Sequence, residues 1–317
     1  MQQVPAVRME NITKTFKNIK ANDSVTLEIY HGEILSLLGE NGSGKTTLMN
    51  MLSGIYYPES GKIYIDGKEE AIRSPKDAYR FGIGMVHQHF KLVDVFTAAE
   101  NIMLGIEDEG KRFNKKAVTD KIKDICDRYG FDVDPNQKVY DMNVSQKQTL
   151  EIVKTIYRGA NLLILDEPTA VLTPQETEKL FSVIRNMKED GKAVVIITHK
   201  LHEVLGISDR VAILRKGRYI DAVKTSEADE LSLTEMMVGK KVSLDIDRSD
   251  PVSPEKRIVV KDLSCRNSDG VDVLKNVSFT AYSGEILGIA GISGCGQKEL
   301  LESIAGLQVV KDGSSIV

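Results

Sequence analysis

The run Gly39-Glu40-Asn41-Gly42-Ser43-Gly44-Lys45-Thr46-Thr47 satisfies G-x-x-x-x-G-K-[ST]. Glycines at this spacing let successive backbone N–H groups turn inward around phosphate oxygens. Lys45 then supplies a point charge for the β- and γ-phosphates, and Thr46 a hydroxyl for Mg²⁺. The pattern carries this meaning between a strand and a helix, and the apolar residues 34–38 and the amphipathic residues 45–53 provide that setting. A second run, Leu162-Leu163-Ile164-Leu165-Asp166-Glu167-Pro168, reads as a buried strand ending in two carboxylates. In parallel sheets ligands sit at that end, so Asp166 is expected in the Mg²⁺ shell and Glu167 is expected to polarise an attacking water.

Two more polar residues follow apolar stretches. Gln88 comes after Gly84-Met85-Val86-His87, and His199 after Val194-Val195-Ile196-Ile197-Thr198. Taken singly, each is also compatible with an ordinary core or surface residue. Their shared position at the sheet edge that should carry the phosphates points instead to γ-phosphate contacts.

These residues need a scaffold. Hydrophobic patterning predicts strands near 4–10, 24–29, 33–38 and 62–66, and a helix near 45–53. A polar, helix-prone stretch follows at about 97–158, then apolar strands at 162–165 and 193–197 separated by a helix at 175–188. Apolar strands alternating with helices predict an α/β fold with a parallel core sheet. The strands before residue 66 are expected to form an antiparallel sheet laid against it.

The chain also repeats itself. Gly32-Glu33-Ile34-Leu35 returns as Gly284-Glu285-Ile286-Leu287, and Gly39, Gly42, Gly44, Leu48, Gly54 and Gly61 return as Gly291, Gly294, Gly296, Leu300, Gly306 and Gly313, each pair 252 residues apart. A duplicated domain is expected, with a first copy over 1–242, a polar, turn-rich linker at 243–256, and the opening of a second copy at 257–317. The 317 residues suffice for about two domains, and the second copy reads as truncated.

Composition narrows the setting. A formal charge of −4 with both signs mixed along the chain argues against nucleic acid as the default partner. The longest apolar runs fall far short of the ~20 residues that cross a bilayer. The N-terminus lacks the basic-then-apolar pattern of a secretory signal, and Cys126, Cys265 and Cys295 are odd in number and widely spaced. A reducing cytoplasm is the expected compartment.

GENGSGKTT, Gln88 within MVHQHF, LDEPTA and the His199 strand end, in this order and spacing, resemble the nucleotide-binding domain of ABC ATPases, a P-loop NTPase fold with a parallel core sheet, an N-terminal antiparallel β subdomain and a helical subdomain. Within that family, ENITKTF, DEPTAVLTPQE, MMVGK and GIAGISGCGQKEL resemble the tandem-domain ATPase subunits of bacterial importers for ribose, galactose and especially nucleosides. The resemblance implies ATP and Mg²⁺ as cofactors. It implies Phe16 stacking on adenine, where a plain core aromatic is the other reading. It further implies Gln88 sensing Mg²⁺ and the membrane partner, and His199 holding the γ-phosphate. The implied partners are membrane permease subunits, an extracellular solute-binding protein reached indirectly, and a second ABC domain in cis. The implied location is peripheral, on the cytoplasmic face of the cell membrane.

In the family, domains dimerise head to tail, and a Leu-Ser-Gly-Gly-Gln-type signature closes the ATP held by the other copy. The ungapped register places that signature at Met142-Asn143-Val144-Ser145-Gln146; the alternative Val144–Gln148 needs a two-residue deletion, and both are degenerate. The second copy carries Gln297 where Lys45 stands and Lys298 where Thr46 stands. Both defects fall in one composite site, which predicts one hydrolytic site and one that at most binds nucleotide. The rival class, a soluble ABC ATPase acting on the ribosome or DNA, is expected to carry a long charged helical linker or C-x-x-C zinc modules, and neither occurs here.

Overall fold

The computed structural model describes residues 4–106, 115–241, 253–266, 270–291 and 294–317, so most of the expected linker, 243–252, lies outside the described residues. The chain divides into two compact units, Met1–Val242 and Ser243–Val317.

In the first unit the elements run β1 (Val7–Phe16), β2 (Ile19–Ile29), β3 (Ile34–Leu38), α1 (Lys45–Leu52), β4 (Ser60–Ile65), β5 (Lys68–Glu70), α2 (Pro75–Arg80) and β6 (Ile83–Val86). Then come α3 (Ala98–Met103), α4 (Lys115–Tyr129), α5 (Val144–Tyr157), β7 (Leu162–Asp166), α6 (Pro174–Glu189), β8 (Ala193–Ile197), α7 (Leu201–Ile207), β9 (Arg210–Arg215), β10 (Arg218–Lys224) and α8 (Glu230–Val238). Every residue of β3, β6, β7 and β8 is buried, as expected of strands covered on both faces.

These strands form a six-stranded sheet in the order β10-β9-β3-β8-β7-β6, parallel except for β10 at the edge. The period of two divides the core. Leu163, Leu165, Val194 and Ile196 pack toward the helical layer of α3 to α6, while Leu162, Ile164, Val195 and Ile197 pack with α1 and the antiparallel strands. Those strands form a separate sheet, order β2-β1-β4-β5. The structure corrects the expectation for β3. It does not join the early antiparallel strands but lies inside the parallel sheet between β9 and β8. Its sequence ILSLL has no polar alternation, and only a two-sided environment buries all five residues.

The helix-prone stretch resolves into α3, α4 and α5, with 107–114 outside the described residues. Capping boxes start four helices: Thr97 with Glu100 at α3, Asn143 with Gln146 at α5, Thr173 with Glu176 at α6, and Asp229 with Ser232 at α8. No helix among the described residues is long and apolar enough to cross a membrane.

The second unit holds β11 (Lys256–Arg266), β12 (Asp272–Tyr282), α9 (Gln297–Ile304) and β13 (Ser315–Ile316), with sheet order β12-β11-β13. Val260, Leu263, Cys265, Leu274 and Leu300 form its small core. Residues 286–290, the repeat of β3, are not a strand, and Ile286 is 83% exposed. The strands that flank β3, namely β8 and β9, have no counterpart among the described residues of 257–317, so this segment lacks the ladder and the two-sided cover that make β3.

Candidate functional site

β3 delivers the chain to Gly39 and α1 carries it away from Gly44, so residues 39–47 wrap the N-terminus of a buried helix. Two glycines are dictated by close approach. A Cβ on Gly39 would meet Leu214 O at 2.1 Å, and one on Gly44, at φ 97°, would meet Ala21 O at 2.2 Å. Asn22, fully buried on β2, donates from Nδ2 to Gly44 O at 3.2 Å and pins the helix start.

Lys45 is buried, and its Nζ donates to Gly39 O at 2.7 Å and Glu40 O at 3.0 Å. Burial lowers its pKa below the ordinary lysine value, against the pull of Glu167 and Asp166, which raises it. An anion near Nζ would add a further upward pull on that lysine. Asp166 closes β7, paired with Ile197 of β8, and its Oδ1 accepts from Thr46 Oγ1 at 3.5 Å. Burial raises its pKa, with Glu167 adding to the rise and Thr46 and Lys45 opposing it.

Glu167 leaves the strand at φ 48°, an uncommon backbone for a non-glycine residue, and its N–H donates to Ile197 O at 2.8 Å. Its carboxylate receives two residues from flanking strand ends: Gln88 Nε2 donates to Oε2 at 3.4 Å, and His199 Nδ1 lies 3.0 Å from Oε1. An open cleft of about 450 Å³ unites Asn41, Gly42, Ser43, Gly44, Lys45, Thr46, Thr47, Gln88, Asp166, Glu167 and His199. The two strand-end polar residues, which singly admit a plain reading, thus converge on one carboxylate beside the loop.

A cleft lined by loop amides, a buried lysine and a carboxylate pair at the C-terminal edge of a parallel sheet is a site for a phosphorylated ligand. Residues 22–170 match the ABC transporter family model. That stretch of the first unit carries an ABC transporter domain. The chain is 44% identical to the nucleoside import ATP-binding protein of Lactococcus lactis over 99% of its own length and 62% of that protein's. It is 43% identical to the guanosine import ATP-binding protein of Bacillus subtilis, covering 97% and 61% respectively. The chain therefore spans about three fifths of the length of these curated relatives. Among solved structures it resembles a nucleotide-free ATP-binding cassette from an ABC transporter, with TM-score 0.65 and 23% identity over 74% of this chain and 96% of that one; this likeness speaks for the fold. A dimeric post-hydrolysis cassette bound to ADP and Pi superposes with TM-score 0.61 at 27% identity, covering 69% and 98%.

Not every expected residue of the ABC domain lines this cleft. Phe16 ends β1, 40% exposed, its ring edge-on to Tyr56 with centroids 5.1 Å apart and 5.5 Å from Lys14 Nζ; across the hairpin, Ile19 lines the cleft. Met142 to Gln146 sit at the start of α5, away from the cleft lining, and Asn143 Oδ1 accepts from Gln146 N at 2.8 Å. Sequence reasoning missed Ile19, Lys20, Ala21 and Asn22. They lie on an ordinary alternating strand, and only the fold brings that strand against Gly44.

In the second unit, Gly296 starts α9 at φ 97°, the value Gly44 adopts at α1. Gln297 Nε2 donates to Ile289 O at 3.1 Å, while Lys298 is paired with Glu302 at 3.7 Å. Of the second loop, Ile292 and Ser293 lie outside the described residues.

Proposed function

We propose that this chain is the ATP-binding and ATP-hydrolysing part of an importer for a nucleoside or sugar. In this reading 1–242 is the first ABC domain, 243–256 the linker, and 257–317 the opening of a degenerate second ABC domain acting in cis. The observation that carries the reading is the convergence of Lys45, Thr46, Asp166, Glu167, Gln88 and His199 on one cleft. The relatives' names, which speak of nucleoside and guanosine import, favour it over a soluble ABC ATPase working on the ribosome or DNA.

The chemistry comes from the side chains. Loop amides and Lys45 hold the β- and γ-phosphates, and Phe16, at the end of β1 outside the lining of that cleft, stacks on an adenine that extends beyond it. Glu167, acidic and close to the phosphate end, orients and polarises the attacking water. His199 contacts the γ-phosphate and, through its contact to Glu167, fixes the carboxylate's direction. Thr46 Oγ1 and Asp166 Oδ1 are adjacent hard oxygens of the kind Mg²⁺ takes when phosphates supply other ligands, and Gln88 borders the same space. Bound there, Mg²⁺ would neutralise developing phosphate charge.

The partners in this reading are permease subunits at the cytoplasmic face of the membrane, with an extracellular solute-binding protein acting through them. Titrating the chain with Mg-ATP by calorimetry tests the reading. Micromolar to millimolar binding that is lost in Lys45→Ala is expected, and no binding by the unaltered chain overturns it.

A further inference from the structure

Beyond Glu167 and His199 the loops after β7 and β8 have no strand ladder between them. The last paired residues are Asp166 and Ile197, followed by the single Glu167 N–H to Ile197 O bond. A side-chain network nevertheless crosses the gap. Lys200 Nζ, from the β8 loop, donates to Thr169 O at 2.9 Å and Thr169 Oγ1 at 3.2 Å, both on the β7 loop. The Thr169 hydroxyl donates to Glu203 Oε2 at 2.6 Å, and Lys200 Nζ returns to Glu203 Oε1 at 2.9 Å. Thr169 and Glu203 are 2% and 6% exposed, so each polar atom of this triangle is satisfied from within it.

Register gives the triangle its consequence. Lys200 directly follows His199, and Thr169 stands two residues after Glu167. The 3.0 Å contact between His199 and Glu167 is therefore bracketed, by the end of the strand ladder on one side and by the Lys200 bridge on the other. Glu167 also sits at a positive φ, a backbone that persists only where surroundings over-determine it. None of the three residues lines the cleft, so none touches a ligand there.

We propose that Lys200, Thr169 and Glu203 form a positioning clamp that sets His199 against Glu167 for ATP hydrolysis and contributes little to nucleotide affinity. The clamp rests on the ATPase reading. Most phosphate contacts belong to residues 39–47, which follow β3, whereas orientation of the water-polarising carboxylate belongs to the bracketed pair. Loosening the clamp moves reacting groups by fractions of an ångström, a displacement of the kind that slows chemistry without releasing substrate.

Lys200→Met, Lys200→Arg and Glu203→Gln are compared with the unaltered chain by single-turnover ATP hydrolysis, by Mg-ATP calorimetry and by circular dichroism. Lys200→Met and Glu203→Gln are expected to slow hydrolysis about 10- to 100-fold with the Kd for Mg-ATP held within about twofold, and Lys200→Arg to restore most of the rate. If Lys200→Met fails to fold, the isosteric Glu203→Gln decides alone. Unchanged hydrolysis in the folded variants, or Kd rising in step with the rate loss, overturns the clamp. Lys45→Ala keeps the two readings apart. If the unaltered chain binds no ATP, the ATPase reading falls and takes the clamp with it; if it binds ATP through Lys45 yet ignores Lys200, the clamp falls alone.

Discussion

His199 Nδ1 lies 3.0 Å from Glu167 Oε1, joining the ends of two neighbouring parallel strands through their side chains. Glu167 also takes a bond from Gln88, at the end of the next strand. One carboxylate thus gathers polar groups from β6 and β8, beside a loop whose buried lysine faces the same cleft.

Lys45→Ala removes a buried cation that spends its hydrogen bonds on Gly39 O and Glu40 O. A charge-assisted contact to phosphate contributes about 1.5–3 kcal/mol, so affinity for Mg-ATP should fall about 10- to 100-fold. The lowered pKa of Lys45 adds a pH signature: affinity should decline as alkaline pH removes the proton, and earlier than for an ordinary lysine. Calorimetry from pH 7 upward checks both, and pH-independent affinity speaks against Lys45 as the phosphate ligand.

Glu167→Gln keeps the side chain's shape and removes its basicity. Mg-ATP binding should stay within about threefold while single-turnover hydrolysis falls on the order of 100-fold or more. Equal losses in binding and rate would instead make Glu167 a ligand for the nucleotide.

Asp166 offers a stability test with a definite sign. Its folded pKa is raised, chiefly by burial, so the charged carboxylate disfavours the fold. That penalty is absent below the unfolded pKa, grows as pH rises through the folded pKa, and is fully present at neutral pH. Asp166→Asn should therefore raise Tm at pH 7 while abolishing Mg²⁺-dependent hydrolysis, and the Tm gain should vanish toward pH 3. A lower Tm at pH 7 would show that the Thr46 and Lys45 interactions outweigh the desolvation.

Much of the site was legible from residue types alone. Lys45 announces itself because phosphate chemistry demands a cation at the start of the helix after a glycine loop, Asp166 and Glu167 because cation and water chemistry demand carboxylates at a strand end, and β7 and β8 because five successive buried residues admit one environment. The place of β3 was not, since strand pairing is a long-range choice that a local pattern does not encode. The same holds for Asn22 against Gly44, 22 residues away, and for Thr169, Lys200 and Glu203, whose hydrogen bonds join segments more than 30 residues apart.

Asn143 separates capping from signature chemistry. Its Oδ1 caps α5 by accepting from Gln146 N, so Asn143→Ala should cost about 1 kcal/mol of stability by chemical denaturation. Asn143→Ser keeps a capping oxygen, so it should be nearly neutral. A large loss in the serine variant would mean that the amide has a role beyond the cap.

Gly44 and Gly296 share φ 97°, so the second loop keeps the helix start of the first. The side chains after these glycines differ: Lys45 donates to two loop carbonyls, whereas Gln297 donates through a neutral amide to Ile289 O alone and Lys298 turns to Glu302. A neutral amide offers a phosphate neither a full charge nor its screening, and no hydroxyl stands where Thr46 does. A nucleotide site relying on this second loop should lack several kcal/mol of transition-state stabilisation, about a thousandfold in rate. Steady-state ATPase should then fall at least tenfold in Lys45→Ala and by less than about twofold in Gln297→Ala. Comparable losses in the two variants would mean two equivalent sites, and the asymmetry inferred from the two loops would be wrong.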